Sequence, residues 1–314
     1  MRLNKITCAA KRLLVLFLCS FTPAQGFTDT SAPPPPLNIV TSIKPLALIT
    51  REIAGEAAVI NYLLPATKSP HHLSFKPSDL KKLMAADLLI WFGPIEGSSL
   101  DNAALRLPDQ KRLRLLKAHP SHETHNHTQH SVDQDRDNEL HPWITPQDVI
   151  GLATTITEKL EALDPPRRAD YRQRLYNLSR DMQKLDANLY AQLEPFQTTP
   201  FVAMHNAYDS LIHRYRLTLI ALIQDNAHQA PGARHLKQTG IILNNNPGIC
   251  LIADPFSPTN TLTYLQKHYD IHLHTIDLLG ENVEDIQSLV LNIGEGFHAC
   301  LTQNHTNPNQ NISH

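Results

Sequence analysis

The chain has 314 residues, of which 41% are hydrophobic, a composition typical of a globular protein with about two domains. Its formal net charge of -2 leaves no basic surplus, which argues against nucleic acid as a partner. Histidine contributes 18 residues, more than packing or catalysis usually requires, so metal binding is the first function to consider.

Residues 1–26 are typical of a secretory signal peptide. Basic residues precede an apolar run, Leu13–Cys19, and a small-x-small cleavage pattern follows at residues 24–26. The run is too short to cross a bilayer, and no later segment is apolar for long enough, so we predict no membrane span. A lipid anchor on Cys19 is disfavoured because Leu18 stands where a lipobox needs a small side chain. We therefore expect an exported protein.

Short apolar strands alternate with helices after a proline-rich spacer at residues 27–36. The predicted elements are strands at Leu37–Ile43, Ala57–Leu64 and Asp87–Phe92, and helices that begin at Pro45 and Pro77. Such alternation is typical of a parallel sheet that is covered by helices on both faces.

Residues 115–140 lose this periodicity and become polar, which predicts a mobile loop. The loop contains five closely spaced histidines, which are His119, His122, His125, His127 and His130. Because neutral imidazole is the commonest side-chain metal ligand, this tract predicts an auxiliary metal-binding segment. A solvated linker without a metal role is the alternative.

The longest helical signal lies in the middle of the chain. A capping box at Thr145 and Asp148 starts one helix, and Asp164 starts a second that we place within residues 161–195. Apolar residues recur along the second helix with helical spacing, at Tyr171, Leu175, Leu178, Met182, Leu185, Leu189 and Leu193. A helix of this length spans about 40 Å, so we interpret it as a rigid connector.

The alternation of strands and helices resumes after Pro200. Predicted strands are Phe201–Met204, Leu217–Ile223, Ile249–Ala253 and Ile271–Ile276, and predicted helices lie near Ala233–Leu243, Pro258–His268 and Val283–Leu301. We therefore predict an α/β fold of two lobes, each a mostly parallel sheet flanked by helices, joined by one long connecting helix. The lobes comprise residues 37–160 and 196–302, and a polar tail follows at residues 303–314.

Cys250 and Cys300 are the cysteines that remain after removal of the predicted signal. An even pair in an exported chain predicts a disulfide. A two-thiolate zinc site is the weaker alternative, because neither cysteine belongs to a C-x-x-C motif.

Four metal-ligating side chains lie at the edges of predicted elements. His71 follows the second strand, His141 precedes a capped helix, and His205 and Asp277 each follow a strand of the second lobe. Ligands of open α/β sheets bind at the carboxyl ends of the strands. Three imidazoles and one carboxylate suit four-coordinate Zn²⁺.

Each of these residues also has an ordinary structural interpretation. His71 could lie in an exposed turn, His141 could pack on Trp143, and Asp277 could cap the turn that follows it. Asp254, which follows another strand of the second lobe, is a rival carboxylate for the metal.

With these residues identified, the chain resembles the periplasmic zinc-binding proteins of ABC transporters, the high-affinity zinc-uptake receptors. The resemblance extends from Leu37 to Leu301, and its most specific segment is SPHHLSFKPSDLKKLMAADLLIWFGP at Ser69–Pro94. HPWITP at His141–Pro146 and AMHNAYDSL at Ala203–Leu211 are similar to the family's second and third ligand segments. A histidine-rich loop between the first and second ligands is typical of the zinc branch.

By position, the resemblance implies that His71, His141 and His205 bind Zn²⁺. Asp277 matches a position that completes the site in some relatives, notably manganese receptors, while Asp254 and water remain alternatives. Pro70 stands where some zinc receptors carry an acid, and its side chain cannot coordinate a metal.

The resemblance implies a monomeric periplasmic receptor rather than an enzyme. Such a receptor captures Zn²⁺ in a cleft between the lobes and delivers it to an inner-membrane ABC zinc permease. The histidine-rich loop is then expected to bind Zn²⁺ weakly and raise its concentration near the cleft. An exported zinc hydrolase is disfavoured because the chain has no H-E-x-x-H motif. A metal-buffering protein or an adhesin is the other alternative.

Overall fold

The computed structural model describes residues 34–69, 76–93, 96, 98–116, 141–224 and 233–305. The predicted signal peptide, His71, the histidine tract at residues 119–130 and most of the predicted tail lie outside these residues. Within them, no helix is both long enough and apolar enough to cross a membrane.

The first lobe contains a parallel four-stranded sheet in the order β2-β1-β3-β4. Its strands are β1 (Leu37–Thr41), β2 (Ala58–Tyr62), β3 (Leu88–Trp91) and β4 (Arg112–Arg114), and its helices are α1 (Lys44–Ala54), α2 (Pro77–Met84) and α3 (Ser98–Ala104). All four residues of β3 are buried, as an inner parallel strand requires, whereas β2 at the edge alternates between half-buried and exposed positions.

Two long helices follow, α4 (Pro146–Leu163) and α5 (Arg168–Leu193). The predicted capping box of α4 is confirmed, because Thr145 Oγ1 accepts a hydrogen bond from the Asp148 N–H, and the Asp148 carboxylate accepts one from the Thr145 N–H. The predicted apolar stripe of α5 is buried or partly buried along its length. The sequence therefore predicted the packed face of the connecting helix correctly.

The connecting helix begins later than predicted. A 3-10 turn at Pro165–Arg167 separates α4 from α5, because two successive prolines lack the N–H groups that would continue an α-helix. Asp164 was expected to cap this helix through its side chain. Instead, its carboxylate accepts hydrogen bonds from Arg167 Nη1 and from the Tyr171 hydroxyl, both at 2.7 Å.

The second lobe repeats the strand order of the first, as β6-β5-β7-β8, and its sheet is also parallel. Its strands are β5 (Pro200–Ala203), β6 (Thr218–Leu222), β7 (Ile249–Ala253) and β8 (Ile271–Thr275), and its helices are α6 (Asp209–Tyr215), α7 (Ala233–Asn245), α8 (Thr259–His268) and α9 (Ile286–His305). In both lobes the chain moves outward in opposite directions from the two inner strands. That arrangement makes a topological switch point at the centre of each sheet.

One hydrophobic core continues through both lobes, with α1, α4, α5 and α9 packed between the sheets. Cys250 on β7 and Cys300 on α9 form the predicted disulfide, with their Cα atoms 5.5 Å apart. The disulfide thus ties an inner strand of the second sheet to the helix that covers it.

Three short elements were not predicted, and one helix is longer than expected. β4 has the sequence RLR, so only Leu113 signals a strand, while α3 and α6 have seven residues each and carry weak apolar periodicity. α9 continues to His305, into the segment predicted as a polar tail.

Candidate metal site

His205 lies at the switch point of the second sheet. It follows β5, and the sheet pairing extends to the preceding residue because the Met204 N–H donates to the Ile252 carbonyl at 2.8 Å. The His205 side chain is only 6% exposed. The structure therefore confirms that this histidine ends an inner strand, where ligands of such sheets bind.

His141 reaches the same place from the turn that precedes α4. The Trp143 N–H donates to the His141 carbonyl at 2.8 Å, which closes this turn. The imidazole of His141 is buried, and its centroid lies 5.6 Å from that of His205, with the ring planes at 61°. Two of the three predicted histidine ligands are thus side by side, although they belong to different predicted lobes.

Asp254 is in direct contact with His205. It follows β7, the neighbour of β5, and its Oδ2 lies 3.2 Å from His205 Nδ1. Its other oxygen, Oδ1, accepts hydrogen bonds from the Phe256 N–H at 2.7 Å and from the Ser257 hydroxyl at 3.2 Å. Tyr208 is buried nearby, and its pKa is raised by that burial and by the charge of Asp254. Asp254 therefore contacts His205 through one carboxylate oxygen and the turn that follows β7 through the other.

Asp277 caps the turn that follows β8. Its Oδ1 accepts hydrogen bonds from the N–H groups of Leu279 and Gly280 at 2.9 and 3.0 Å, and its Oδ2 accepts one from Glu281 at 2.6 Å. Gly280 has a φ of 69°, a conformation that glycine adopts without strain. The turn-capping interpretation of Asp277 is therefore realised in the structure.

Neither acid completes a set of ligands with the two adjacent histidines. Across the ranges that the structure describes, no group of three or more His, Cys, Asp or Glu side chains is arranged to hold a metal ion. His71, the third predicted histidine, lies outside those ranges. The described part of the site is thus a buried pair, His141 and His205, with Asp254 behind one of its members.

Trp143 connects this histidine pair to both lobes. Its Nε1 donates a buried hydrogen bond to the Leu278 carbonyl at 2.8 Å, and its ring stacks on Phe92 with centroids 5.2 Å apart. The ring of His141 also lies 5.2 Å from that of Trp143, as the packing interpretation of His141 expected. The position of His141 is therefore fixed by contacts to both sheets.

Two polar contacts reinforce the same boundary between the lobes. The Ser210 hydroxyl on α6 donates to Asp148 Oδ2 at 2.7 Å, and Lys44 Nζ on α1 donates to the Glu281 carbonyl at 3.0 Å. These two hydrogen bonds therefore join the first lobe and α4 to the second lobe.

Glu96 is a buried acid that sequence reasoning missed. It is 2% exposed, its Oε2 accepts a hydrogen bond from the Phe92 N–H at 2.8 Å, and burial raises its pKa to about 7. It lies beyond β3, an inner strand of the first sheet. The available signal was an acid within the sequence Gly-Pro-Ile-Glu-Gly, directly after an uninterrupted apolar run.

Comparisons with known proteins agree with this architecture. Residues 39–293 match the family model described as ZnuA, zinc-uptake complex component A, periplasmic. The high-affinity zinc uptake system protein ZnuA of Haemophilus ducreyi is 28% identical over 290 residues, covering 85% of this chain and 94% of the relative. The protein of the same name from Yersinia pestis is 25% identical over 266 residues, covering 78% of this chain and 84% of the relative.

A solved structure with the same architecture extends this comparison to three dimensions. A crystal structure of ZnuA is similar with a TM-score of 0.70 at 20% identity, covering 85% of this chain and 99% of that one. This likeness establishes the shared two-lobe fold.

Proposed function

Because this chain belongs to the family of periplasmic zinc-uptake component A proteins, we propose that it captures Zn²⁺ between its lobes and delivers it to an inner-membrane ABC permease. The observation that carries the proposal is the buried pair of His141 and His205, whose ring centroids are 5.6 Å apart. Two imidazoles bound to one tetrahedral Zn²⁺ place their centroids about 5 Å apart, given a Zn–N distance of about 2.0–2.1 Å. The observed separation of the two centroids is close to that value.

We assign His71 as the third ligand, on the resemblance of its segment to the family's first ligand segment. For the fourth position we keep Asp277, which follows β8 at the same sheet edge as His205 follows β5. An ionised carboxylate has about four lone-pair sites, and Asp277 uses three of them for backbone amides. One site is thus left for a metal ion, and the D277A variant tests this assignment.

The histidine tract at residues 119–130 has a separate role in this proposal. It binds Zn²⁺ weakly and raises the local concentration of the ion near the tight site. The continuous core and the connecting helix α5 limit how far the lobes can separate, so release to the permease involves a modest displacement. The family's periplasmic location and the predicted signal peptide agree with export of the chain.

Zinc titration with a competing chelator, combined with native mass spectrometry, tests the division of roles. His205→Ala should abolish tight binding, whereas deletion of residues 119–130 should lower the number of ions bound and leave the tight site. His213→Ala is a matched control, because this exposed histidine lies in the same lobe on α6. If the deletion abolished tight binding and H205A did not, the assignment of the tight site would be wrong.

Zinc uptake in cells tests the transport step. A strain without this protein should grow poorly in zinc-depleted medium, and the wild-type chain should restore growth while H205A should not. Equal rescue of growth by both chains would contradict the proposed role of the protein in zinc delivery. Size-exclusion chromatography of the mature chain tests the expected monomer.

A further inference from the structure

The contact between Asp254 and His205 assigns the acid a task that differs from ligation. Building on the proposed function, we propose that Asp254 is a positioning residue, which orients His205 so that its Nε2 meets the Zn²⁺. Asp254 is then excluded from the fourth position of the metal site.

The contact with Asp254 determines which nitrogen of His205 carries the proton. Asp254 Oδ2 lies 3.2 Å from His205 Nδ1, and an ionised carboxylate can only accept a hydrogen bond. Nδ1 must therefore carry the proton in the neutral imidazole. The lone pair is then on Nε2, the nitrogen that we propose binds the metal. A carboxylate behind a ligating histidine fixes the tautomer and ring orientation in this way and raises the basicity of the ligand.

The carboxylate of Asp254 is itself anchored in the turn after β7. Its Oδ1 accepts hydrogen bonds from the Phe256 N–H at 2.7 Å and from the Ser257 hydroxyl at 3.2 Å. The Asp254 N–H in turn donates to Ser257 Oγ, and the Ser257 N–H donates to the Asp254 carbonyl, both at 3.1 Å. Because one oxygen holds the turn and the other holds the histidine, rotation toward a metal ion would break contacts on both sides.

The pairing of β5 with β7 sets the distance between His205 and Asp254. β5 and β7 are paired in parallel with Ala203 opposite Ile252, and the Met204 N–H donates to the Ile252 carbonyl at 2.8 Å. His205 and Asp254 therefore leave adjacent strands at the same edge of the sheet. Both side chains are nearly buried, at 6% and 11% exposed, so water competes little for their contact.

Two variants separate this positioning from a purely structural role. Asp254→Asn keeps an oxygen at the Oδ1 position for the turn, but its amide group donates to Nδ1 and so favours the opposite tautomer. We expect D254N to weaken zinc binding about 10–100-fold. Asp270→Asn makes the same change at an exposed acid that precedes β8 in the same lobe, so its affinity should stay within about threefold of wild type.

Nitrogen-15 NMR of the histidine rings reads the tautomer directly. The His205 signals, identified by their loss in H205A, should report an Nδ1–H tautomer in the metal-free wild type and an Nε2–H tautomer in D254N. Circular dichroism checks that both chains are folded. An Nε2–H tautomer in the wild type would by itself overturn the proposal.

Zinc K-edge X-ray absorption distinguishes positioning from ligation. The number of oxygen neighbours of Zn²⁺ should be the same in the wild type and D254N. Loss of an oxygen neighbour in D254N would make Asp254 a ligand, and wild-type affinity in D254N would remove its positioning role. Either result overturns the proposal. Failure of the wild type to bind Zn²⁺ tightly would instead refute the proposed function, while the tautomer measurement would still decide the role of Asp254.

Discussion

Replacement of Glu96 by glutamine should change how the stability of this protein depends on pH. Glu96 is buried, and burial raises the pKa of its carboxyl from 4.5 to about 7. Glutamine has nearly the same shape and retains an oxygen to accept the hydrogen bond that the Phe92 N–H donates at 2.8 Å. It cannot ionise, so E96Q removes the titration and preserves the contact.

The sign of the effect follows from the direction of the shift. Because the pKa is higher in the folded protein, the folded chain keeps a proton that the unfolded chain releases between pH 4.5 and about 7. The stability contributed by the protonated carboxyl is therefore fully present below pH 4.5 and is lost as the pH rises to about 7. At 1.36 kcal/mol per pKa unit, the loss is about 3 kcal/mol, most of which falls between pH 5 and 8.

Urea unfolding of both chains between pH 5 and 8, at constant ionic strength, measures this effect. The free energy of unfolding of E96Q, relative to wild type, should rise by about 2–3 kcal/mol over that range. Groups common to both chains cancel in the difference. Glu295→Gln, at an exposed position of α9, serves as the matched control. Parallel pH profiles for wild type and E96Q would refute the reasoning.

Three further changes test contacts that hold the site together. Trp143→Phe leaves the buried Leu278 carbonyl without its 2.8 Å donor, so the free energy of unfolding should fall by about 1–3 kcal/mol in urea denaturation; an unchanged value would show that this bond contributes nothing. Replacement of both Cys250 and Cys300 by alanine should cost about 4 kcal/mol on the chain-entropy model for a separation of 50 residues, and a reducing agent should destabilise only the wild type. Gly280→Ala introduces a side chain at a φ of 69°, which should lower stability by about 1–2 kcal/mol and reduce the melting temperature, whereas alanine at Gly151, where a methyl group meets open space, should not.

The fold was largely predictable because buried parallel strands leave a clear signal. Ile249–Ala253 is apolar throughout, and the structure gives β7 these same bounds. The capping box at Thr145 and Asp148 likewise fixed the start of α4. By contrast, β4 is a strand because it pairs with β3, and its three residues carry too little apolar pattern to show this.

The candidate site was predictable only in part. The placement of His205 and His141 could be predicted because a histidine after an apolar strand, and one before a capped helix, lie where loops converge. The separate tasks of Asp254 and Asp277 could not be distinguished, since each acid follows a strand of the same sheet. The role of each acid depends on which hydrogen-bond donors of the following turn point toward its carboxylate. The spacing of residues in the sequence does not specify those directions.

The contacts around the two described histidines bear on the tight Zn²⁺ binding that we propose. His141 is placed by a closed turn and by Trp143, whose indole bonds to the second lobe, while His205 is oriented by Asp254. None of these contacts involves a metal, so they hold the two imidazoles independently of it. Ligand groups that are already oriented lose little conformational freedom when they bind, and more of the bond energy therefore appears as affinity. On this reasoning, we expect Asp254 to contribute to zinc affinity by fixing the imidazole of His205.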